Sequence, residues 1–152
     1  IRGVTKDTDV ARISVTKIPN TPGVAFKLFD VLAKHKINVD IILQSIGRDS
    51  TKDITFTVSK SNAEETVECV KNMFDIEDKD IICDTSVAKI SIVGAGMESH
   101  PGTASKMFEA LYERDINIDM IATSEIKISV LINLEDADRA VSAIHKAFFP
   151  AE

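Results

Sequence analysis

The chain alternates short stretches of strand-like hydrophobic patterning with longer stretches of helix-like patterning. In Ala11–Lys17 apolar and polar residues alternate, which is typical of a half-buried strand. Pro22-Gly23 ends this stretch, and Val24–Leu32 then carries its apolar residues on one helical face. The pattern further predicts a strand over Ile37–Leu43, a polar turn over Gly47–Asp53, a strand over Ile54–Val58, a helix over Asn62–Phe74 and a short strand over Asp80–Asp84.

This series of elements occurs twice, because residues 88–124 repeat residues 11–45. The matched identities include Pro22/Pro101, Gly23/Gly102, Ala25/Ala104, Phe29/Phe108, Asn38/Asn117, Asp40/Asp119 and Ser45/Ser124. The second halves align as well, since Ile54–Phe56 matches Ile128–Val130 and Phe74 matches Phe148. The sequence therefore predicts two copies of one βαββαβ unit.

Each βαββαβ unit is expected to form a four-stranded antiparallel sheet with two helices on one face, the ferredoxin-like plan of the α+β class. The second copy lacks residues for a fourth strand, because its last helix, predicted over Glu135–Phe149, is followed only by residues 150–152. Ile1–Thr5 has no place in the first copy, so we predict that it crosses over and completes the second sheet, whose edge would otherwise be unpaired. The first unit is then residues 11–86, inserted in a second unit made of residues 1–10 and 87–152.

Composition and charge narrow the functional classes. The net charge is −6 and the basic residues are scattered, which argues against nucleic acid and anionic membranes as partners. Aromatic residues make up only 5% of the chain, which argues against an RNA-binding sheet face. No apolar run approaches the roughly 18 residues of a membrane span, no secretory signal is present, and Cys69 and Cys83 suit free cytosolic thiols. These features predict a cytoplasmic protein without a nucleic-acid or membrane partner.

The sequence offers few residues for catalysis or metal binding. His100 precedes Pro101 in a loop, but no cysteine, serine–base pair or metal-ligand cluster accompanies it, so a polar loop role is favoured. The Gly-Ala-Gly stretch at residues 94–96 resembles part of a dinucleotide fingerprint, yet Ser99 stands where another glycine is required. An enzyme on this scaffold lacks a convergent catalytic set, and a metal chaperone would require a Cys-x-x-Cys loop. We therefore predict no catalytic and no metal-binding residue.

In each copy a strand runs into a Pro-Gly loop at the start of a helix, and such a loop suits the carboxylate of a small ligand. The first N–H groups of a helix are free, the helix dipole is positive there, and glycine allows close approach. Asn38, Asp40, Asn117 and Asp119 at the starts of the following strands are candidate partners for the ligand's ammonium group, and Glu125 for a second ammonium. The same residue types also serve as simple turn residues. Their repetition at matched places favours an amino-acid-binding function.

Five segments of the chain are more distinctive than this general pattern. They are IRGVTKDTD at residues 1–9, DITFTV at Asp53–Val58, VGAGMESHPG at Val93–Gly102, NIDMIATSEIKISVLI at Asn117–Ile132 and AIHKAF at Ala143–Phe148. Together they resemble the paired ACT domains of aspartate kinase over essentially the whole chain. The resemblance also implies the swapped first strand. Nothing in the chain resembles the Lys-Phe-Gly-Gly motif of that family's kinase domain.

The resemblance implies an allosteric regulatory region. In this family a kinase domain phosphorylates L-aspartate with ATP, and the ACT pair binds lysine and/or threonine and inhibits that reaction. ATP and Mg²⁺ are thus expected only in a kinase domain, and no cofactor is expected in this chain. The implied partners are a free amino acid, an aspartate kinase catalytic domain or subunit, and a second copy of the chain, met through the second strand and first helix of each unit. A separately made regulatory subunit, an excised domain, and an ACT sensor attached to another amino-acid enzyme all remain open.

By similarity to the family, effector contacts are expected in both copies. In the first copy they are Asn20, Pro22, Gly23, Ala25, Asn38, Val39, Asp40 and Gln44, and in the second copy they are Thr103, Ala104, Asn117, Ile118, Ser124 and Glu125. Asn20 stands where family members often carry Asp. This difference removes a negative charge close to the ligand's amino group and leaves the choice of effector open.

Overall fold

The computed structural model describes residues 2–47, 49–74, 77–94 and 101–150. Its strands are β1 (Gly3–Asp7), β2 (Ala11–Pro19), β3 (Ile42–Ile46), β4 (Thr51–Val58), β5 (Ile81–Asp84), β6 (Val87–Val93), β7 (Met120–Thr123) and β8 (Lys127–Asn133). Its helices are α1 (Val24–Lys34), α2 (Ala63–Phe74), α3 (Thr103–Tyr112) and α4 (Ala137–Phe148). The chain divides into two compact units, which we call the first unit (Asp9–Thr85) and the second unit (Ile1–Thr8 with Ser86–Glu152).

The N-terminal strand belongs to the second unit. The sheet of that unit has the order β1-β6-β8-β7, and β1 pairs antiparallel with β6 from Gly3↔Val93 to Asp7↔Lys89. Val4 of β1 packs against the core of the same unit. This pairing confirms the prediction that the first strand crosses over and completes the second sheet, and the strand continues to Asp7, beyond its predicted end.

The first unit has the sheet order β3-β4-β2-β5, with α1 and α2 over one face, as predicted for the ferredoxin-like α+β plan. Leu28 and Leu32 of α1 are fully buried in one cluster with Ile13 of β2 and Phe56 of β4. The ring of Phe29 meets Phe56 edge-on, with 5.6 Å between the ring centroids. The alternation along β2 and β4 thus supplies the apolar face, and the helical spacing of α1 supplies its cover.

The second unit repeats this plan with α3 and α4. Its core contains the fully buried side chains of Ile92, Met107, Leu111, Val130 and Ile144. Helix α4 is shorter than predicted at its start, because a 3₁₀ turn over Leu134–Asp136 precedes it. None of the described helices is long and apolar enough to cross a membrane.

Strand β3 differs most from the prediction, because it covers Ile42–Ile46 and not Ile37–Leu43. Ile37 is buried, but its N–H donates to the carbonyl of Leu32 at 2.9 Å, so it closes the end of α1. Lys36 before it has a φ of 60°, the left-handed conformation that often follows a helix. The β-branched residues at this point therefore reflect burial of the connection and not strand pairing.

Strands β2 and β4 extend past their predicted ends. A β-bulge between Val15 and Ile18 gives Lys17 a φ of 60° and lets the pairing with β4 resume beyond it. Strand β4 consequently begins at Thr51, inside the predicted polar turn Gly47–Asp53. This longer end of the sheet lies directly before the Pro-Gly loop of the first unit.

Candidate functional site

The start of α1 forms one side of the candidate site in the first unit. Strand β2 ends at Pro19, and the loop through Asn20 and Pro22 leads to Gly23, which has a φ of 89° and precedes the first helical residue. Among the described residues no side chain caps this helix, and its first turn carries no acidic residue. A Cβ placed on Gly23 would meet nothing within 4 Å, so the loop is open. The first N–H groups of α1 can therefore donate hydrogen bonds to a carboxylate.

The loop is tied to the neighbouring hairpin. The N–H of Asn20 donates to the carbonyl of Ser50 at 2.9 Å, and the N–H of Gly47 donates to the carbonyl of Thr51 at 2.7 Å. Thr51 also donates its hydroxyl to the carboxylate of Asp49 at 2.6 Å, and this hydrogen bond lowers the pKa of Asp49 below its ordinary value. The helix start and the β3–β4 turn thus occupy the same end of the sheet.

Asn38, Val39 and Asp40 lie at the opposite end of the first unit. Strands β2 and β3 run in the same direction, because both are antiparallel to β4, and α1 returns between them. The N–H of Asp40 donates to the carbonyl of Thr57 at 3.1 Å, and Thr57 pairs with Arg12 near the start of β2. These three residues are therefore separated from the helix start within one unit.

Ala25 lies at the helix start itself, and Gln44 lies in the middle of β3. Gln44 is exposed on β3 opposite Ile54, so its side chain projects from the helix-covered face of the sheet. Ala25 is half-buried in the first turn of α1. The structure thus brings Asn20, Pro22, Gly23 and Ala25 together, with Gln44 on the edge strand beside them.

The second unit divides its candidates in the same way. Thr103 and Ala104 are half-buried in the first turn of α3, whereas Asn117 and Ile118 lie beyond its C-terminal end, before β7. Strands β6 and β7 run in the same direction, because both are antiparallel to β8. Asn117 and Ile118 are therefore at the opposite end of the sheet from the helix start.

Ser124 and Glu125 form the turn between β7 and β8. The carbonyl of Ile126 in this turn accepts the N–H of Gly94 at 2.8 Å, which places the turn at the end of β6, where the loop to α3 begins. Ser124 donates its N–H to the carbonyl of Lys127 at 2.8 Å and so also serves its own turn. Glu125 is exposed. These two residues share the helix-start end with Thr103.

The described residues contain neither a cluster of metal ligands nor an activated cysteine nucleophile. There, no three His, Cys, Asp or Glu side chains come close enough to hold a metal ion. Burial raises the pKa of the Cys69 and Cys83 thiols, so neither is activated as a nucleophile. The loop residue His100 lies outside the described residues.

One lysine that sequence reasoning missed lies at the helix-start end of the first unit. Lys52 is only 6% exposed and pairs with Ile18 on β2 and Ile46 on β3. Its position could have been predicted, because it continues the alternation of Ile54 and Phe56 on the buried face of β4.

The β3 edge of the first unit carries exposed apolar side chains. Ile42, Leu43 and Ile46 are 49%, 42% and 72% exposed, and Phe26 on α1 is 71% exposed. Within the described residues of the first unit, β3 pairs only with β4, so its outer backbone groups face away from the sheet. Such an edge is a template for pairing with another strand.

The two ferredoxin-like units define the class of protein to which the chain belongs. The family model for the ACT domain matches residues 13–74 and 90–148, and the chain belongs to the ACT-domain family. Within this family it matches the regulatory part of aspartate kinase.

Two relatives support this narrower assignment. The regulatory subunit of aspartate kinase from Thermus thermophilus, crystallised in a ligand-free form, superposes with a TM-score of 0.88 at 42% identity, covering 97% of this chain and 98% of that chain. The aspartokinase of Pseudomonas aeruginosa is 44% identical over 149 residues, which cover 97% of this chain and 36% of that protein. The chain therefore spans about a third of the length of the curated relatives it matches.

A more distant solved structure shares the fold alone. Aspartokinase III of E. coli, solved in complex with lysine and aspartate, has a TM-score of 0.68 at 19% identity. The match covers 96% of this chain and 32% of the aspartokinase III chain.

Proposed function

We propose that this chain binds an end-product amino acid, lysine and/or threonine, and thereby inhibits an aspartate kinase by feedback. The observation that carries the proposal is the uncapped helix start at Gly23, open to a carboxylate, in a chain that matches a regulatory subunit of aspartate kinase from end to end. The lysine in the complex of E. coli aspartokinase III is consistent with it. The proposal includes a cytoplasmic kinase partner that uses ATP to phosphorylate L-aspartate.

We further propose that a homodimer completes the effector site. Within one unit Asn38 and Asp40 are separated from the helix start at Gly23, so one ligand cannot contact both sets there. Two copies that pair antiparallel through β3 would place the beginning of one strand beside the end of the other. Such pairing would also cover the exposed side chains of the β3 edge. Each effector would then contact two chains.

A ligand shared between two chains couples binding to assembly. It stabilises the dimeric arrangement in which both halves of the site are in place, and it shifts the kinase only as far as its affinities for the active and inhibited states differ. A tenfold shift requires a coupling free energy of only about 1.4 kcal/mol. A few hydrogen bonds across the interface can supply this.

The direct test is titration calorimetry of the chain with lysine, threonine, methionine and isoleucine, each alone, and with lysine plus threonine together. Binding of lysine or threonine, and of neither methionine nor isoleucine, is expected. The stoichiometry would give the number of competent units per chain. A folded dimer that binds none of these amino acids would contradict the proposal.

Gln44→Ala is expected to weaken effector binding about tenfold, which corresponds to about 1.4 kcal/mol, because it removes hydrogen bonds at the proposed interface. Calorimetry would measure the change. Ser45→Ala is the matched control, since Ser45 is the adjacent exposed residue of β3 and projects from the opposite face of the sheet. Unchanged affinity in Gln44→Ala would remove Gln44 from the site.

Ile46→Lys is expected to weaken the dimer at least tenfold, because it places a charge on the exposed β3 edge, where Ile46 is 72% exposed. Sedimentation velocity over a concentration series would measure the dissociation constant. The matched control is Ile82→Lys on β5 at the other edge of the same sheet, where Ile82 is 55% exposed. Equal weakening by both variants, or by neither, would place the interface elsewhere.

A further inference from the structure

Lys52 is a buried cation without an acidic partner in the described part of the chain. It is 6% exposed and has no ion pair or side-chain hydrogen bond to any described residue. Its ammonium nitrogen is not among the fully buried side-chain atoms that lack a hydrogen-bond partner, so it keeps some contact with solvent. The stem of Lys52 is therefore covered, while its charged end reaches the surface.

Strand pairing places Lys52 at the same end of the sheet as the start of α1. Residues directly opposite each other on paired strands project from the same face, so Lys52 shares the helix-covered face with its fully buried neighbour Ile18. Ile18 is followed by the loop to Gly23, and the N–H of Asn20 in that loop donates to the carbonyl of Ser50, next to β4. The lysine and the first turn of α1 thus lie at one end of one face.

This arrangement favours an anion. An ammonium group at the end of a covered stem has less contact with water than that of a fully exposed lysine, so an opposite charge beside it is favoured. The start of α1 is also electropositive, because its N–H groups have no side-chain cap and the positive end of the helix dipole lies there. Lys52 and the start of α1 therefore both attract a negatively charged ligand. A carboxylate between them would satisfy both, with charge-assisted hydrogen bonds on each side.

We propose that Lys52 binds the α-carboxylate of the amino acid that the first unit takes up, together with the N–H groups at the start of α1. This inference rests on the proposed function and assigns the ligand's carboxylate to a side chain that was absent from the predicted site residues. The ammonium group of the ligand then points away from Lys52, towards the oxygen atoms that a second copy supplies from Asn38 and Asp40.

The second unit has no lysine at the position that matches Lys52. The residue that matches Lys52 in the internal repeat is Ile126, which is 58% exposed and apolar. Gly102 before α3 has a φ of −87°, whereas Gly23 before α1 has a φ of 89°. The two units are therefore not equivalent sites, and recognition of a carboxylate by a lysine at this position is confined to the first unit.

The test compares each amino acid with its carboxamide, because the amide keeps the shape of the ligand and removes the negative charge. L-threonine and L-threoninamide, and L-lysine and L-lysinamide, are titrated into the whole chain and into Lys52→Met by calorimetry. In the unsubstituted protein we expect the acid to bind at least tenfold more tightly than the amide. In Lys52→Met we expect the acid to lose at least tenfold in affinity and the amide less than threefold, so the preference largely disappears.

Two further variants complete the design. Lys146→Met removes the same charge from an exposed position on α4 in the second unit, and it is expected to leave the preference for the acid unchanged. Lys52→Gln provides the same comparison with a polar side chain if Lys52→Met fails to fold. Where both units bind, only one of the two binding events should change.

The outcomes of these titrations test the role of Lys52 separately from the proposed function. A preference for the acid that survives in Lys52→Met, or an equal loss of acid and amide binding, would overturn this assignment while the proposed function stands. Failure of the unsubstituted protein to bind either amino acid would overturn the proposed function and this assignment with it.

Discussion

Removal of residues 1–8 is expected to destabilise the second unit strongly and to leave the stability of the first unit unchanged. Strand β1 pairs with β6 from Gly3 to Asp7 and contributes Val4 to the core. With several backbone hydrogen bonds at about 1 kcal/mol each and the loss of Val4 packing, the cost is about 3–5 kcal/mol. This is a large part of the roughly 5–15 kcal/mol that stabilises a native domain. The exposed edge of β6 is also expected to promote aggregation.

Hydrogen exchange followed by NMR would measure this effect residue by residue. Amides of β6 and β8 should lose much of their protection, while amides of β2 and β4 should keep it. A peptide of residues 1–8 added in excess is expected to restore protection in β6, because it can re-form the missing strand. Protection of β6 that survives truncation without the peptide would mean that β1 contributes little to the second unit.

Ile13→Ala is expected to destabilise the first unit by about 2–5 kcal/mol, because Ile13 is fully buried between β4 and β5 and its truncation leaves a cavity. Urea unfolding, followed by a signal from the first unit, would measure the shift in the midpoint at constant slope. The slope should stay constant because the surface exposed on unfolding hardly changes.

Ile82→Ala is the matched control for this prediction. Ile82 lies on β5 of the same sheet, loses the same atoms and the same β-branched side chain, but is 55% exposed. In Ile82→Ala the free energy of unfolding of the first unit should change by less than about 1 kcal/mol. Similar losses in the two variants would show that strand propensity, and not burial of Ile13, determines the cost.

The architecture was accessible from the sequence because the repeat restricts it strongly. Matched pairs such as Pro22/Pro101 and Phe29/Phe108 set the order of elements in both units, and the shortage of residues after the last helix required a strand from elsewhere. The structure places β1 accordingly. Counting elements against a four-stranded sheet thus predicted that Ile1–Thr5 joins the second sheet, and the register from Gly3↔Val93 to Asp7↔Lys89 was supplied by the structure.

Two features of the site were not accessible in this way. Hydrophobic patterning reports burial, so it could not show that Ile37 closes α1 and that β3 begins only at Ile42. Nor does the order of residues along the chain show that Asn38 and Gly23, at the two ends of one helix, face opposite ends of the sheet. That separation follows from strand direction, and it is the reason that a second copy enters the proposed site.

Because β1 pairs with a strand that follows the first unit in the chain, the two units can complete their sheets only in a fixed order during synthesis. The partner of β1 is β6, which begins only at Val87, so a nascent chain can complete the first unit before β6 exists. During the interval between the synthesis of β1 and that of β6, β1 is unpaired. At about 5–20 residues per second this interval lasts several seconds. Arg2, Lys6 and Asp7 place charges along the waiting segment, which disfavours pairing with a neighbouring chain. The first unit, whose strands all lie within Asp9–Thr85, can therefore fold before the second unit has all of its strands.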